Sequence, residues 1–207
     1  LETEQRLNRA RMNPHFFFNT LNTNQKLVLQ EKNGEVMAGN MARFSNIMRE
    51  TLESTYKEYI SIEQEIEFLT QYLEVQKVHF PGIFNYEIFT AGELESDELL
   101  IPPMIIQPFV ENSIEHAFAG LSYTGEIKVS FQKKNKELLI IITDNGKGLP
   151  SPDQKNNEHI SRATQIIRDR IYLLNRKLKT KAAYQISNCE NKQGAQVTIQ
   201  LPLIYKD

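Results

Sequence analysis

An α+β protein is expected, an N-terminal helical hairpin followed by an α/β sandwich with a mixed sheet, because the hydrophobic pattern changes period part-way along the 207 residues. Up to about residue 80, apolar side chains recur at steps of three and four, as on one face of a helix. From Phe84 onward they fall in short strand-like runs separated by polar turns, with helix-length segments between some of them.

The first helical stripe runs through Leu7, Ala10, Pro14, Phe17, Leu21, Asn24 and Val28. A break at Asn33-Gly34 precedes a second stripe carrying Met37, Met41, Phe44, Met48 and Leu52. Two amphipathic helices in a hairpin bury part of their apolar surface, and a second copy completes a four-helix bundle, so a homodimer is expected. The competing arrangement packs the hairpin against the second half of its own chain. Ser61 followed by Gln64 forms a capping box for a third helix marked by Ile62, Ile66, Leu69 and Leu73 and ended near Pro81-Gly82. This connector closes a first domain, residues 1–80, and is assigned no chemistry.

The second domain, residues 81–207, reads as strands at Phe84 to Thr90, Glu126 to Lys133, Glu137 to Thr143, Ala183 to Cys189 and Gln196 to Leu203. Helices are expected near Met104 to Phe118 and Arg162 to Lys179, on one face of the sheet.

Composition excludes several classes. With 26 acidic and 24 basic side chains there is no electrostatic footprint for nucleic acid. The single cysteine, Cys189, rules out an intramolecular disulfide and fits a reducing cytoplasm. No apolar run approaches the roughly 18 residues of a membrane span. The start, Leu-Glu-Thr-Glu-Gln-Arg, has neither a signal-peptide core nor an N-cap, and reads as a helix entering from upstream.

The first helix carries an unusual pair. Pro14 removes a backbone donor and clashes with the carbonyl of Ala10, a defect of roughly 3 kcal/mol. His15 follows it and lies off the apolar stripe, on a flank with Arg11, Phe18, Asn19 and Asn22, where its ring is reachable. The stretch Asn13 to Asn22, Asn-Pro-His-Phe-Phe-Phe-Asn-Thr-Leu-Asn, resembles the phosphoacceptor motif of LytS-type sensor histidine kinases, with Phe17 replacing leucine. The resemblance extends from about residue 5 to the C-terminus. It implies that His15 accepts a phosphoryl group, and that a membrane-anchored sensor region precedes a cytoplasmic portion.

Two further motifs carry the nucleotide chemistry. Glu111-Asn112-Ser113-Ile114-Glu115-His116 lies on the first helix of the second domain. The Asn112 amide carbonyl is a neutral hard-oxygen ligand suited to Mg²⁺, and His116 can donate to a phosphate oxygen. The string resembles the N box of the GHKL ATPases and histidine kinases, which implies a GHKL-type sandwich and a metal held by Asn112. An apolar strand then runs into Asp144-Asn145-Gly146-Lys147-Gly148. Alone, Asn-Gly after a strand is also a hairpin signal, but no return strand follows. The Asp144 carboxylate can accept from an exocyclic amine such as that of adenine, while Gly146 and Gly148 permit close backbone approach. This resembles the G1 box of the same superfamily and implies ATP.

By the same resemblance, residues 151–160 form the ATP lid. The second glycine motif is altered to Ser161-Arg162-Ala163-Thr164, whose helix N-terminal amides can still cradle phosphates. Lys155, Arg162, Arg168 and Arg170 are cations near that edge, and Gly194-Ala195 resembles the family's closing Gly-Thr without the hydroxyl. Where ATP-hydrolysing relatives carry a glutamate base this chain has Pro108, which cannot activate water.

The resulting expectation is ATP-dependent autophosphorylation of His15, then transfer to an aspartate of a response-regulator receiver. Phe16 occupies the place where many histidine kinases carry an acid, and Asn19 is geometrically able to orient the ring instead. The rivals are a dimeric scaffold without efficient ATP use, motivated by Ser161, Ala163 and Ala195, and a chaperone-like ATPase, opposed by Pro108.

Overall fold

The computed structural model describes residues 20–22, 25, 34–54, 56–92, 94–149, 162–190 and 193–206, with the backbone alone at Val36, Arg162 and Ala163. His15, Pro14, Asn19, most of the first stripe, the 151–160 segment and Ser161 lie outside these residues.

Helix α1, Gly34–Ser54, starts at the break predicted from Asn33-Gly34. Its inner face is Asn40, Phe44, Ile47, Thr51 and Ser54, all buried at helical spacing. The expected apolar stripe therefore divides: Phe44 faces inward, whereas Met41, Met48 and Leu52 are 40%, 38% and 50% exposed. Three of the five inner residues are polar, so hydrophobicity alone selects the wrong side. Phe44 and Ile47 join the core of this chain, filling from within part of the face expected to meet a second copy.

Helix α2, Ile62–His79, forms the predicted capping box: Gln64 N–H donates to Ser61 Oγ at 3.2 Å and Ser61 N–H to Gln64 Oε1 at 3.1 Å. Glu63 and Glu65 in the first turn complement the helix dipole. Phe68, Leu69, Tyr72, Leu73 and Val75 belong to the same hydrophobic cluster as the sheet residues Phe84, Ile127, Val129 and Ile140. Each fully buried side chain of this kind contributes about 1.5–3 kcal/mol. Helical layer and sheet thus share one core.

Two short strands that the period of the sequence does not reveal, β1 (Ile60–Ser61) and β3 (Leu100–Ile101), pair antiparallel just before α2. The main sheet is formed by β2 (Phe84–Ala91), β4 (Gly125–Lys134), β5 (Glu137–Asp144), β6 (Ala183–Asn188) and β7 (Ala195–Pro202), in the order β2-β4-β5-β7-β6. Each agrees with its predicted strand to within a residue at most ends. The β2–β4 pair is parallel and the others antiparallel, giving the expected mixed sheet. Alternation places Ile127, Val129 and Phe131 of β4 and Leu138, Ile140 and Ile142 of β5 inward.

The helix expected from Met104 begins later, as α3 (Gln107–Asn112), because Met104 has φ 56°, a left-handed conformation no helix continues through. Pro108 sits in its first turn, where a missing N–H is harmless. The helix then widens into a π-turn, Ser113–Ala117. Helix α4, Arg162–Leu178, completes the layer.

Candidate nucleotide site

Asp144 ends β5 on the face that carries Leu138, Ile140 and Ile142, so its carboxylate emerges beneath the α3–π-turn segment. Three donors hold it. Ser113 Oγ donates to Oδ2 at 2.9 Å, and the backbone N–H groups of Gly146 and Ala195 donate to Oδ1 at 2.9 and 3.3 Å. An ionised carboxylate offers about four acceptor positions, so one remains for a ligand's amine. The side chain is half-buried: fixed, and open on one side.

The segment after Asp144 is a loop. Asn145 Oδ1 accepts from Glu126 N–H at 2.7 Å, and Tyr123 donates its hydroxyl to the Asn145 carbonyl at 2.7 Å. Residues 145–149 join no strand, which removes the hairpin alternative. Gly146 is demanded by packing as much as by any ligand: a Cβ there would lie 2.5 Å from that of Ala117. The Lys147 N–H donates to the Ala117 carbonyl at 3.2 Å, tying loop to π-turn. Gly148 adopts φ 74°, and Asn188 Oδ1 beside it accepts from Leu149 N–H at 2.7 Å.

The sequence assigns no role to Ser113, Tyr123 and Asn188, whereas Gly194-Ala195 is matched there to the family's closing Gly-Thr. At Gly194 φ is 114°, and a Cβ would fall 1.8 Å from the carbonyl oxygen of Asp144. The Gly194-Ala195 string was the available signal, and the contact runs through the Ala195 N–H, so a hydroxyl at 195 is not needed for it. Ser113 follows Asn112 directly, and its hydroxyl also lies 3.2 Å from the Phe109 carbonyl. A hydroxyl beside the asparagine carries no signal of its own.

Asn112 is half-buried at the last position of α3, one residue from the serine that binds Asp144. His116 is exposed on the π-turn, whose extra residue rotates it from where a continuous α-helix would set it. On α4, Arg162 and Ala163 occupy the helix start, with their side chains outside the described atoms. Arg168 is exposed, but Arg170 is 5% exposed and its charge acts on buried Glu65, so it is no cation of the phosphate edge.

A family model described as histidine kinase-, DNA gyrase B- and HSP90-like ATPase matches residues 101–204, half of the chain, from before Asn112 to beyond Gly194. The chain belongs to that ATPase family. A second model, described as histidine kinase, matches residues 3–84 and so covers the His15 motif. Sensor protein LytS of Staphylococcus saprophyticus subsp. saprophyticus is 32% identical over 201 residues, 93% of this chain and 32% of that protein. Sensor histidine kinase/phosphatase LytS of Staphylococcus aureus is 32% identical over 158 residues, 76% of this chain and 26% of that protein. Across both matched segments the chain is similar to LytS sensor histidine kinases, and it spans between a quarter and a third of the length of these relatives.

At the level of fold, the chain resembles the histidine kinase AdeS of Acinetobacter baumannii, with a TM-score of 0.50 at 14% identity, covering 86% of this chain and 83% of that one. It also resembles full-length ShkA in complex with AMPPNP, with a TM-score of 0.53 at 16% identity, covering 71% and 31%.

Proposed function

We propose that this LytS-type histidine kinase chain transfers the γ-phosphoryl of ATP to His15 and then to an aspartate of a response-regulator receiver. The observation that carries the reading is the Asp144 carboxylate, fixed by three donors and half-open, at the G1 position of an ATPase-family domain. Asp144 accepts from the adenine amine. Gly146 and Gly148 shape the loop around it, while the start of α4, with Arg162 and Ala163, offers backbone N–H groups to phosphate.

Asn112 would supply a neutral oxygen to Mg²⁺, which would offset phosphate charge, and His116 would donate to a phosphate oxygen. The donor set fits such an ion: Asn112 is half-buried, next to the serine that binds Asp144, and Mg²⁺ is commonly completed by phosphate oxygens and water rather than by a protein cage.

In the transfer, a lone pair on the His15 imidazole attacks the γ-phosphorus, a P–N bond forms, the bond to the β-phosphate bridging oxygen breaks, and ADP leaves. The ring N–H proton is then released to water. The neutral form of the imidazole carries the lone pair that this attack needs. Positioning supplies most of the catalysis in phosphoryl transfer, which suits a donor site and an acceptor carried on different segments of the chain.

Met41, Met48 and Leu52 lie exposed along α1, and this side supports association with a second copy. No helix among the described residues is long and apolar enough to cross a membrane.

Incubation with γ-labelled ATP and Mg²⁺ tests the reading. Acid-labile label on the native chain, absent from His15→Gln and Asn112→Ala, is the expected outcome. Tight ATP binding without label would indicate a scaffold, and steady phosphate release without label an ATPase.

A further inference from the structure

A buried carboxylate stands at the opposite end of the nucleotide helix from Asp144. Glu65, on the first turn of α2, is 1% exposed. Its Oε2 accepts from Met104 N–H at 2.8 Å and its Oε1 lies 3.4 Å from Ile106 N–H, the residue that caps α3. Burial pushes its pKa up, and the amides of Met104, Ile106 and Ile105, with the charge of Arg170, pull it back. Met104 holds φ 56°, which a branch at Cβ or β-carbon bulk disfavours, so the turn needs an external hold. From the other side, Ser54 at the end of α1 places its Oγ 3.2 Å from Met104 Sδ.

Farther along the same helix, Gln76 Nε2 donates to the Tyr72 hydroxyl at 2.7 Å, and that hydroxyl also bonds to Gln107, the first residue of α3. Glu65, Tyr72 and Gln76 lie at spacings of seven and four on α2 and share one of its faces. All three are buried.

We infer that Glu65 is a positioning residue for the kinase reaction: by gripping the Met104 turn it sets where α3, and hence Asn112, stands, and it makes α2 the element through which a displacement of the helical layer reaches the nucleotide cleft. The inference rests on the assignment of α3 as the nucleotide helix. It gives chemistry to a helix whose sequence reads as a passive connector.

The test uses Glu65→Gln, which keeps shape but turns one acceptor into a donor facing backbone N–H groups. Ile47→Ala serves as the control for simple destabilisation. It opens a cavity in the helical layer seven residues before Ser54, roughly 10 Å along the helix. ATP affinity is measured well below each variant's own unfolding transition. Glu65→Gln should raise the Kd for ATP about ten-fold, roughly 1.4 kcal/mol, and raise KM with kcat within about two-fold. Ile47→Ala should leave Kd within about two-fold.

Amide exchange at Met104 and Ile106 should quicken in Glu65→Gln without nucleotide. Should that variant not fold, Glu65→Asp, whose shorter arm cannot span both amides, should show the same shifts at smaller size. Native affinity in Glu65→Gln, or in a folded Glu65→Asp standing in for it, overturns the inference. If Asn112→Ala meanwhile loses binding, the nucleotide assignment survives that failure. If Asn112→Ala also binds normally, the assignment itself falls.

Discussion

Two carboxylates bracket the nucleotide helix, and they differ in one respect that separates their roles. Asp144 and Glu65 each accept backbone N–H groups, but Asp144 is half-buried with an acceptor position to spare, whereas Glu65 is sealed in the core. An acceptor with an open side can exchange water for a ligand. A buried one holds what is already there, and its loss strands backbone amides in the core. Similar bonding thus yields a binding group at one end and a structural grip at the other.

The strongest way to break this contrast lies behind Asp144. Gly194→Ala would place a Cβ inside the Asp144 carbonyl at a φ that disfavours any side chain, so urea unfolding should show a loss of about 4 kcal/mol or outright failure to fold. Next come the carboxylates themselves. Glu65→Ala should cost about 3 kcal/mol of stability by stranding the Met104 and Ile106 amides. Asp144→Ala should weaken ATP binding about 100-fold in calorimetry while shifting the unfolding midpoint less, because water reaches the donors it leaves. Equal effects of the two on both measurements would erase the distinction.

Ser113→Ala removes one of three donors to Asp144, and a loss of about 1 kcal/mol in ATP affinity is expected. An effect confined to acid pH concerns His79 at the end of α2. Burial lowers its pKa from 6.5 to about 4. The unfolded chain therefore takes up a proton below pH 6.5 that the folded chain refuses until about pH 4. Its contribution to stability is present above pH 6.5 and is lost as pH falls toward 4. His79→Leu should flatten that part of the pH–stability curve, and an unchanged slope would show that other groups cause it.

The strands were legible because alternation of Ile, Val and Leu in β4, β5 and β7 reports a half-buried sheet directly, and the Ser61/Gln64 capping box marked a helix start. The Asp144 loop was legible for a different reason, its resemblance to a known motif. What escaped were features without a hydrophobic signature. Asn40, Thr51 and Ser54 are polar residues on a buried face, so the inner side of α1 was misjudged. Glu65 sits in a Glu-Gln-Glu-Ile-Glu run that looks like a solvated helix surface. The left-handed Met104 and the π-turn at Ser113–Ala117 arise from tertiary packing, and a local period carries no trace of either.

The reading of Asp144 as the adenine acceptor is tested most directly by comparing affinities for ATP and for purine riboside triphosphate, which lacks the exocyclic amine, in the native chain and in Asp144→Asn. The native chain should favour ATP by at least about ten-fold, and the substitution should abolish the preference. Equal affinity of the native chain for the two nucleotides would contradict it.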